Sequence, residues 1–395
     1  MPDTTVTIRK DGAGDYTTIS SANAASDVST GYYKMVVDDQ GEYTSSINLT
    51  PNTGTATASN YVWLTVSEGN RHSGVAGTGH ARIVRGPTLV ILGDYSRLEY
   101  LELKGTAGGG QVVLVNGQNT LVSRCIIRSQ SSITDYGIRV NASPGTRSAF
   151  VDNTLIYNVQ YAGVDGIDNG SYSGSIYCDF VTIAECGVGG GTYRHVGLRV
   201  GVNTAGWSVN LYNCALAGNG VYDYSAGNGF TATGGWASIT DAGSNNAWDN
   251  DDTWYAANSG SFSSSQTLSG GLTTTTTTAN AMIVTDLTTN TEDYTPVVAT
   301  GAGSNLLLGT GVNRQGSEPD SRQDFSTDIA GNPRPTKAGS IDAGAFQITV
   351  AAAGFKYWTG SAWDDATNVQ YWNGSAWTDV TAVQYWNGSA WTDPS

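Results

Sequence analysis

Apolar residues in this chain recur two positions apart, inside short segments that end in Gly, Asn or Ser. Four such segments can be laid over one another: Arg124-Cys-Ile-Ile127, Asn153-Thr-Leu-Ile156, Phe180-Val-Thr-Ile183 and Asn213-Cys-Ala-Leu216. An earlier segment, Tyr100-Leu-Glu-Leu103, has the same shape. Period-two alternation places the second and fourth residues of each on one face of a strand. The starts are 24, 29, 27 and 33 residues apart. Strand-bearing units of that size, each unable to bury its own face, predict a solenoid whose loops vary in length while its interior stays in register. Coils joined this way are expected to be right-handed. A β-sandwich with closely spaced antiparallel strands is the competing architecture.

The expected fold is therefore all-β: a right-handed, single-stranded parallel β-helix with a small C-terminal β-hairpin repeat region. Residues 1–30 read as an N-terminal strand and a helical cap, with Ser20–Ser26 compatible with a short helix. Residues 31–350 read as the coil, with irregular loops over 240–335. Within those loops Asp249, Asp251 and Asp252 cluster, but the Gly and Glu of an EF-hand loop are missing, so a solvated turn is expected rather than a calcium site.

Residues 351–395 hold three copies of a motif with a strict period of 14: Tyr357-Trp-Thr-Gly-Ser-Ala-Trp363, Tyr371-Trp-Asn-Gly-Ser-Ala-Trp377 and Tyr385-Trp-Asn-Gly-Ser-Ala-Trp391. Asn-Gly between β-formers is a strong hairpin signal. With Asn373-Gly374 as a two-residue turn, Trp372 is expected opposite Ser375, Tyr371 opposite Ala376 and Gln370 opposite Trp377. A single hairpin is marginal in water. The tryptophans Trp358, Trp363, Trp372, Trp377, Trp386 and Trp391 are therefore expected either to pack a small repeat domain or oligomer seam, or to form an aromatic platform for sugar rings or another protein.

Composition narrows the class. Only 13% of the 395 residues are charged and 51 are Gly, which disfavours long solvated helices. The 11 Trp, 21 Tyr and 7 Phe are too many for a disordered chain. A formal net charge of −15 without a basic patch disfavours nucleic-acid binding. No segment approaches the roughly 18 apolar residues of a membrane span, so membrane insertion is not expected. Cys125, Cys178, Cys186 and Cys214 lack CxxC spacing and read as reduced, buried thiols. The N-terminus has no apolar core of a secretory signal. Synthesis in a host cytoplasm with final residence in a virion is the expectation that reconciles these features.

Two motifs carry a family resemblance. Asp11-Gly-Ala-Gly-Asp-Tyr-Thr-Thr-Ile19 with Val36-Val-Asp-Asp-Gln-Gly-Glu-Tyr43 resembles the start of pectinesterase- and pectate-lyase-like right-handed β-helices, in which a short helix caps the first coil. Asp328-Ile-Ala-Gly-Asn-Pro-Arg334 with Ser340-Ile-Asp-Ala-Gly-Ala-Phe346 is similar to the closing segment of many bacterial and phage β-helix proteins. The terminal Tyr-Trp repeats resemble the ends of phage structural proteins. The enzymatic signatures do not follow: Ser131 stands after Gln130 where pectinesterases carry Asp, and the polygalacturonase and lyase sets are not legible.

The resemblance and the repeats together imply a non-enzymatic bacteriophage surface protein, a fibre, spike or capsid decoration. Its expected partners are other virion proteins and host-surface glycan, in a homo-oligomer for which a trimer is favoured. With ten residues before Asp11, attachment is expected through the coil ends or the repeats. No cofactor or metal is expected. The alternative is a polysaccharide depolymerase using Asp165, Asp168 and Glu185, with Asp179 and His195 nearby, because glycoside hydrolysis needs two carboxyls about 5–10 Å apart. A bacterial surface adhesin is the third reading. Tyr157, Tyr161, Tyr172, Tyr193, Tyr222, Tyr224 and Trp236 read first as caps on insert loops and second as a sugar-binding face.

Overall fold

The computed structural model describes residues 3–217 with short interruptions, isolated strands onward to 274, the segment 313–347 with short interruptions, and the strands of three hairpins between 356 and 392. Two compact units result, Met1–Ile348 and Thr349–Ser395.

The first unit is a parallel β-helix. Its described strands form three sheets of nine, nine and eight strands, and the chain visits the sheets in a fixed order. Every strand pair in these sheets for which a register is defined is parallel, Thr4–Ile8 on Tyr33–Val37 at the start and Ala247–Asp249 on Leu272–Thr274 at the end, which excludes the sandwich. The strand Thr120–Ser123 lies in the first sheet, Ile126–Ser129 in the second and Tyr136–Asn141 in the third, and this coil is then repeated.

Alternation sorts the side chains as the sequence pattern predicts. Leu103, Ile127, Ile156, Ile183 and Leu216 are consecutive register partners in the second sheet. Val90, Val113, Ile138, Val164 and Leu198 do the same in the third. Leu64, Leu98, Val122, Val151 and Cys178 do so in the first. From Leu103 to Ile183, from Val90 to Leu198 and from Leu64 to Cys178, these columns meet inside the coil as one apolar cluster. A buried Val, Leu or Ile contributes about 1.5–3 kcal/mol, and each coil receives that only by stacking on its neighbours. All four cysteines are free and buried, and burial pushes the Cys125 thiol up to about 12.

The first coil is closed by a short helix, α1 (Ile19–Ala24), capped by the Thr18 hydroxyl, which accepts from the Ser21 N–H at 3.1 Å. Ile19 and Ala22 enter the apolar core. The free edge of Thr4–Ile8 is occupied as well: Thr7 N–H donates to Asp15 Oδ2 at 2.7 Å, and Tyr16 N–H to Thr7 O at 3.1 Å. Such cover keeps an edge strand from pairing with another chain.

One feature of the repeats escaped the pattern of inward residues. The first residue of each overlaid segment turns the chain from the first sheet to the second in left-handed backbone: Tyr100, Arg124, Asn153, Phe180 and Asn213 have φ of 61, 49, 44, 56 and 51°. Asn tolerates this conformation, whereas Tyr, Arg and Phe pay about 1–2 kcal/mol. A ladder of backbone bonds holds them: Arg124 N–H to Asp152 O, Asn153 N–H to Asp179 O and Phe180 N–H to Tyr212 O, each 3.0 Å.

In the second unit the hairpin register differs from expectation. Trp372 lies opposite Trp377, Tyr371 opposite Thr378 and Gln370 opposite Asp379. The connection is therefore four residues, 373–376, rather than two. Trp358 lies opposite Trp363 and Trp386 opposite Trp391, in the same register. A Trp–Trp cross-strand position is worth more than Trp–Ser, which favours the longer loop.

Candidate functional site

The left-handed turns each follow a residue of an outward polar row on the first sheet. On the first sheet Glu99, Ser123, Asp152 and Asp179 are consecutive register partners. They alternate with the core residues Leu98, Val122, Val151 and Cys178, so they face outward. Yet Asp152 and Asp179 are completely buried, because the segment 313–347 lies over them as a strap.

The strap is held by reciprocal polar contacts. Arg322 donates to the carbonyls of Tyr95 and Asn119. Gln323 donates to Asp152 Oδ2 at 3.2 Å. Arg124 donates to Asp324 Oδ2 at 3.0 Å and to Thr327 Oγ1 at 2.8 Å. Arg314 donates to Asp179 Oδ1 at 3.2 Å. Ala345 N–H donates to Thr182 Oγ1 at 2.9 Å and Gly344 N–H to Asn213 O at 2.6 Å. Gly344 has φ of +89°, and a Cβ there would stand 2.7 Å from Thr182 Oγ1, so this position needs glycine.

Two residues of the Asp328–Arg334 motif organise the strap itself. Asp328 accepts from the N–H groups of Ala330 (2.9 Å), Asn332 (2.7 Å) and Gln347 (2.8 Å), folding the two halves of the motif on one carboxylate. Arg334 is buried, its guanidinium 3.9 Å over the Phe180 ring. It donates to Asn153 Oδ1 at 3.0 Å and to the carbonyls of Gly344 and Ala345 at 3.1 Å each. Burial brings its pKa down to about 10. Phe180, Phe325 and Ile341 form a small apolar cluster beside it.

Burial also pushes the Asp152 carboxyl up to about 6, against the opposing pull of Arg124, Ser123 and Gln323. A carboxyl with a shifted pKa is often a functional signal; here each neighbour belongs to the coil or the strap, and its role is to dock one on the other.

A second buried polar cluster sits where the strap meets the loop that follows the strand Val62–Val66. Glu102 accepts from His80 Nε2 at 2.5 Å, Arg128 Nε at 2.7 Å and Gly77 N–H at 3.0 Å. Burial works to raise the Glu102 pKa, but these donors outweigh it and bring it to about 2. His72 donates from Nε2 to Arg124 O at 3.0 Å and accepts at Nδ1 from Gly74 N–H at 3.2 Å, which fixes one neutral tautomer. Burial, followed by the His80 charge, lowers its pKa to about 3. A Cβ on Gly74 would lie 2.5 Å from Phe346 Cε1, so loop and strap fit face to face. Sequence reading missed this cluster because His72, His80, Glu102 and Arg128 fall on no common period.

Asp165 lies in the third-sheet strand Ala162–Ile167, fully buried, in register between Arg139 and Arg199, with Arg139 Nε 3.4 Å from its Oδ2. Glu185 is half-buried in left-handed backbone (φ 50°) just past the second-sheet strand Thr182–Ala184. The two candidates thus belong to different sheets. Asp179 is bound to the strap. Asp168 and His195 lie outside the described residues. The six repeat tryptophans are placed by backbone register alone. Tyr157 is completely buried, which removes it from any sugar-binding face. Among the described residues no group of three or more His, Cys, Asp or Glu could hold a metal ion.

Fold and strap together define this chain as a parallel β-helix protein. No known family model matches it, and no curated protein does. Solved structures similar to it include a pectin methylesterase from carrot (13% identity over 69% of this chain and 89% of that one, TM-score 0.45). A pectin methylesterase from Aspergillus niger is similar at 12% identity, with 78% and 95% covered and a TM-score of 0.45. A pectate lyase is similar at 12% identity, with 87% and 96% covered and a TM-score of 0.39.

Proposed function

We propose that this chain is a non-enzymatic surface protein of a bacteriophage particle, a fibre, spike or capsid decoration. In this reading the β-helix is a rigid carrier and the C-terminal hairpins make the adhesive contacts, with host-surface glycan or with other particle proteins. The observation that carries it is the repetition: three hairpins at a period of 14, each with Trp opposite Trp in one shared register. Identical weak contacts in tandem gain avidity without any single strong site, and paired aromatic residues supply contact area for sugar rings. Assembly as a homotrimer would multiply that array.

The depolymerase alternative draws on Asp165, Asp168 and Glu185. The Arg139 ion pair on buried Asp165 favours a structural part for that carboxylate, as do the strap contacts of Asp179. The test is incubation of the full chain with host-surface polysaccharide. Retention of the polymer at full length, with binding lost when the six repeat tryptophans are replaced by Ala, is the expected result. Release of reducing ends or unsaturated products that stops with Asp165→Ala would establish the enzyme instead.

A further inference from the structure

Among the described residues Arg9, Arg82, Arg128, Arg139, Arg314 and Arg322 each lie within 4.0 Å of a carboxylate. A group of cations stacked on aromatic rings lies on the outer face of the first sheet in the early coils. Lys34, Trp63 and Arg97 are consecutive register partners there. Lys34 Nζ stands 3.8 Å from the centre of the Trp63 ring and Arg97 Cζ 4.3 Å from it. Beside them Arg71, exposed, lies 3.9 Å over the Tyr100 ring, with its Nε donating to Val66 O at 3.3 Å. Among the described residues no carboxylate lies within 4.0 Å of Lys34 or Arg71, while Arg97 shares Glu99 with Arg124. Burial, together with the charges of Arg97 and Arg71, depresses the Lys34 ammonium against the pull of Glu99.

We infer that this face binds an acidic polysaccharide, with Lys34 and Arg71 meeting its carboxylates. The rings of Trp63 and Tyr100 hold the two cations in place before a ligand arrives, which reduces the ordering cost of binding. Lys34 and Arg97 are two strands apart, about 10 Å along the coil axis, a span that suits a chain with recurring charges better than a single small anion. The overall charge of −15 repels polyanions at large, so binding depends on this local surplus and weakens with salt.

The site uses no residue of the hairpins, and its test separates the two. Full-length protein is titrated with alginate, neutral dextran and single-stranded oligodeoxythymidine at low and high salt. Alginate is expected to bind in a salt-sensitive manner, and dextran and the oligonucleotide are not. Lys34→Gln with Arg71→Gln should weaken alginate binding about tenfold or more, a loss of about 1.4 kcal/mol or more. Arg71→Gln alone, at an exposed position, should weaken it several-fold in a fully folded protein. Arg85→Gln, an exposed cation elsewhere, and replacement of the repeat tryptophans should leave it unchanged. Absence of alginate binding, equal binding of dextran or oligonucleotide, or equal losses with Arg85→Gln would overturn the inference.

Discussion

Arg334 Nη2 donates to Asn153 Oδ1 at 3.0 Å, joining residues 181 positions apart in the sequence. Asn153 holds left-handed backbone at a coil turn, and Arg334 is the last residue of the Asp-Ile-Ala-Gly-Asn-Pro-Arg motif. That one bond explains why both residues are what they are. The turn presents an amide outward, and the strap supplies a guanidinium whose other donors reach its own carbonyls.

Replacing Arg334 by Met should therefore destabilise the β-helix by about 3–5 kcal/mol, the range for removing one partner from a buried charge network. Arg334→Lys should recover little, because an ammonium cannot reproduce the fork that serves Asn153, Gly344 and Ala345 together. Equilibrium denaturation of each variant measures the loss.

Phe180→Ala should cost about 3–5 kcal/mol. The ring packs 5.7 Å from Phe325 and beneath the Arg334 guanidinium, so its removal leaves a cavity under the strap. Limited proteolysis should then cut within 313–347 before it cuts the coil.

Two carboxyls give the pH profile opposite slopes. Asp152 has a folded pKa of about 6 against 3.8 unfolded, so its protonated form favours the fold; that contribution is fully present below 3.8 and is lost as pH rises through 6. It amounts to about 3 kcal/mol. Glu102, at about 2 against 4.5, contributes above 4.5 and loses its effect as pH falls through 2. His72, lowered to about 3, acts in the same direction as Glu102: its contribution is present above 6.5 and declines as pH falls toward 3. Denaturation from pH 4 to 7 should show Asp152→Asn gaining on the parent protein as pH rises, and denaturation from pH 5 down to 2 should show Glu102→Gln gaining on it as pH falls.

The hairpin register can be read by cross-linking. With Trp372 opposite Trp377, the double variant Trp372→Cys, Trp377→Cys should form a disulfide under mild oxidation. Trp372→Cys with Ser375→Cys, the pair that a two-residue turn would place opposite each other, should not.

Much of the coil was legible because its signal is local. Leu103, Ile127, Ile156 and Ile183 announce themselves by alternation, and their spacing announces the repeat. The strap was legible only as a motif. Nothing in the sequence ties Asp328 to Gln347 or Arg124 to Asp324, because such contacts depend on where a distant segment returns across the coil. The outward row of Glu99, Asp152 and Asp179 is likewise silent, since an exposed and a strap-covered carboxylate look identical in one dimension. The hairpin loop was misjudged because Asn-Gly is a good two-residue turn in isolation, and the pairing of Trp with Trp outweighed it.

The central claim, a surface protein of a bacteriophage particle, is tested most directly by imaging. Purified particles of the phage whose genome encodes this chain, labelled with an antibody to the hairpin repeats, should carry label at one symmetric surface site, and the chain should co-purify with them. Particles that lack both the label and the chain would contradict the account.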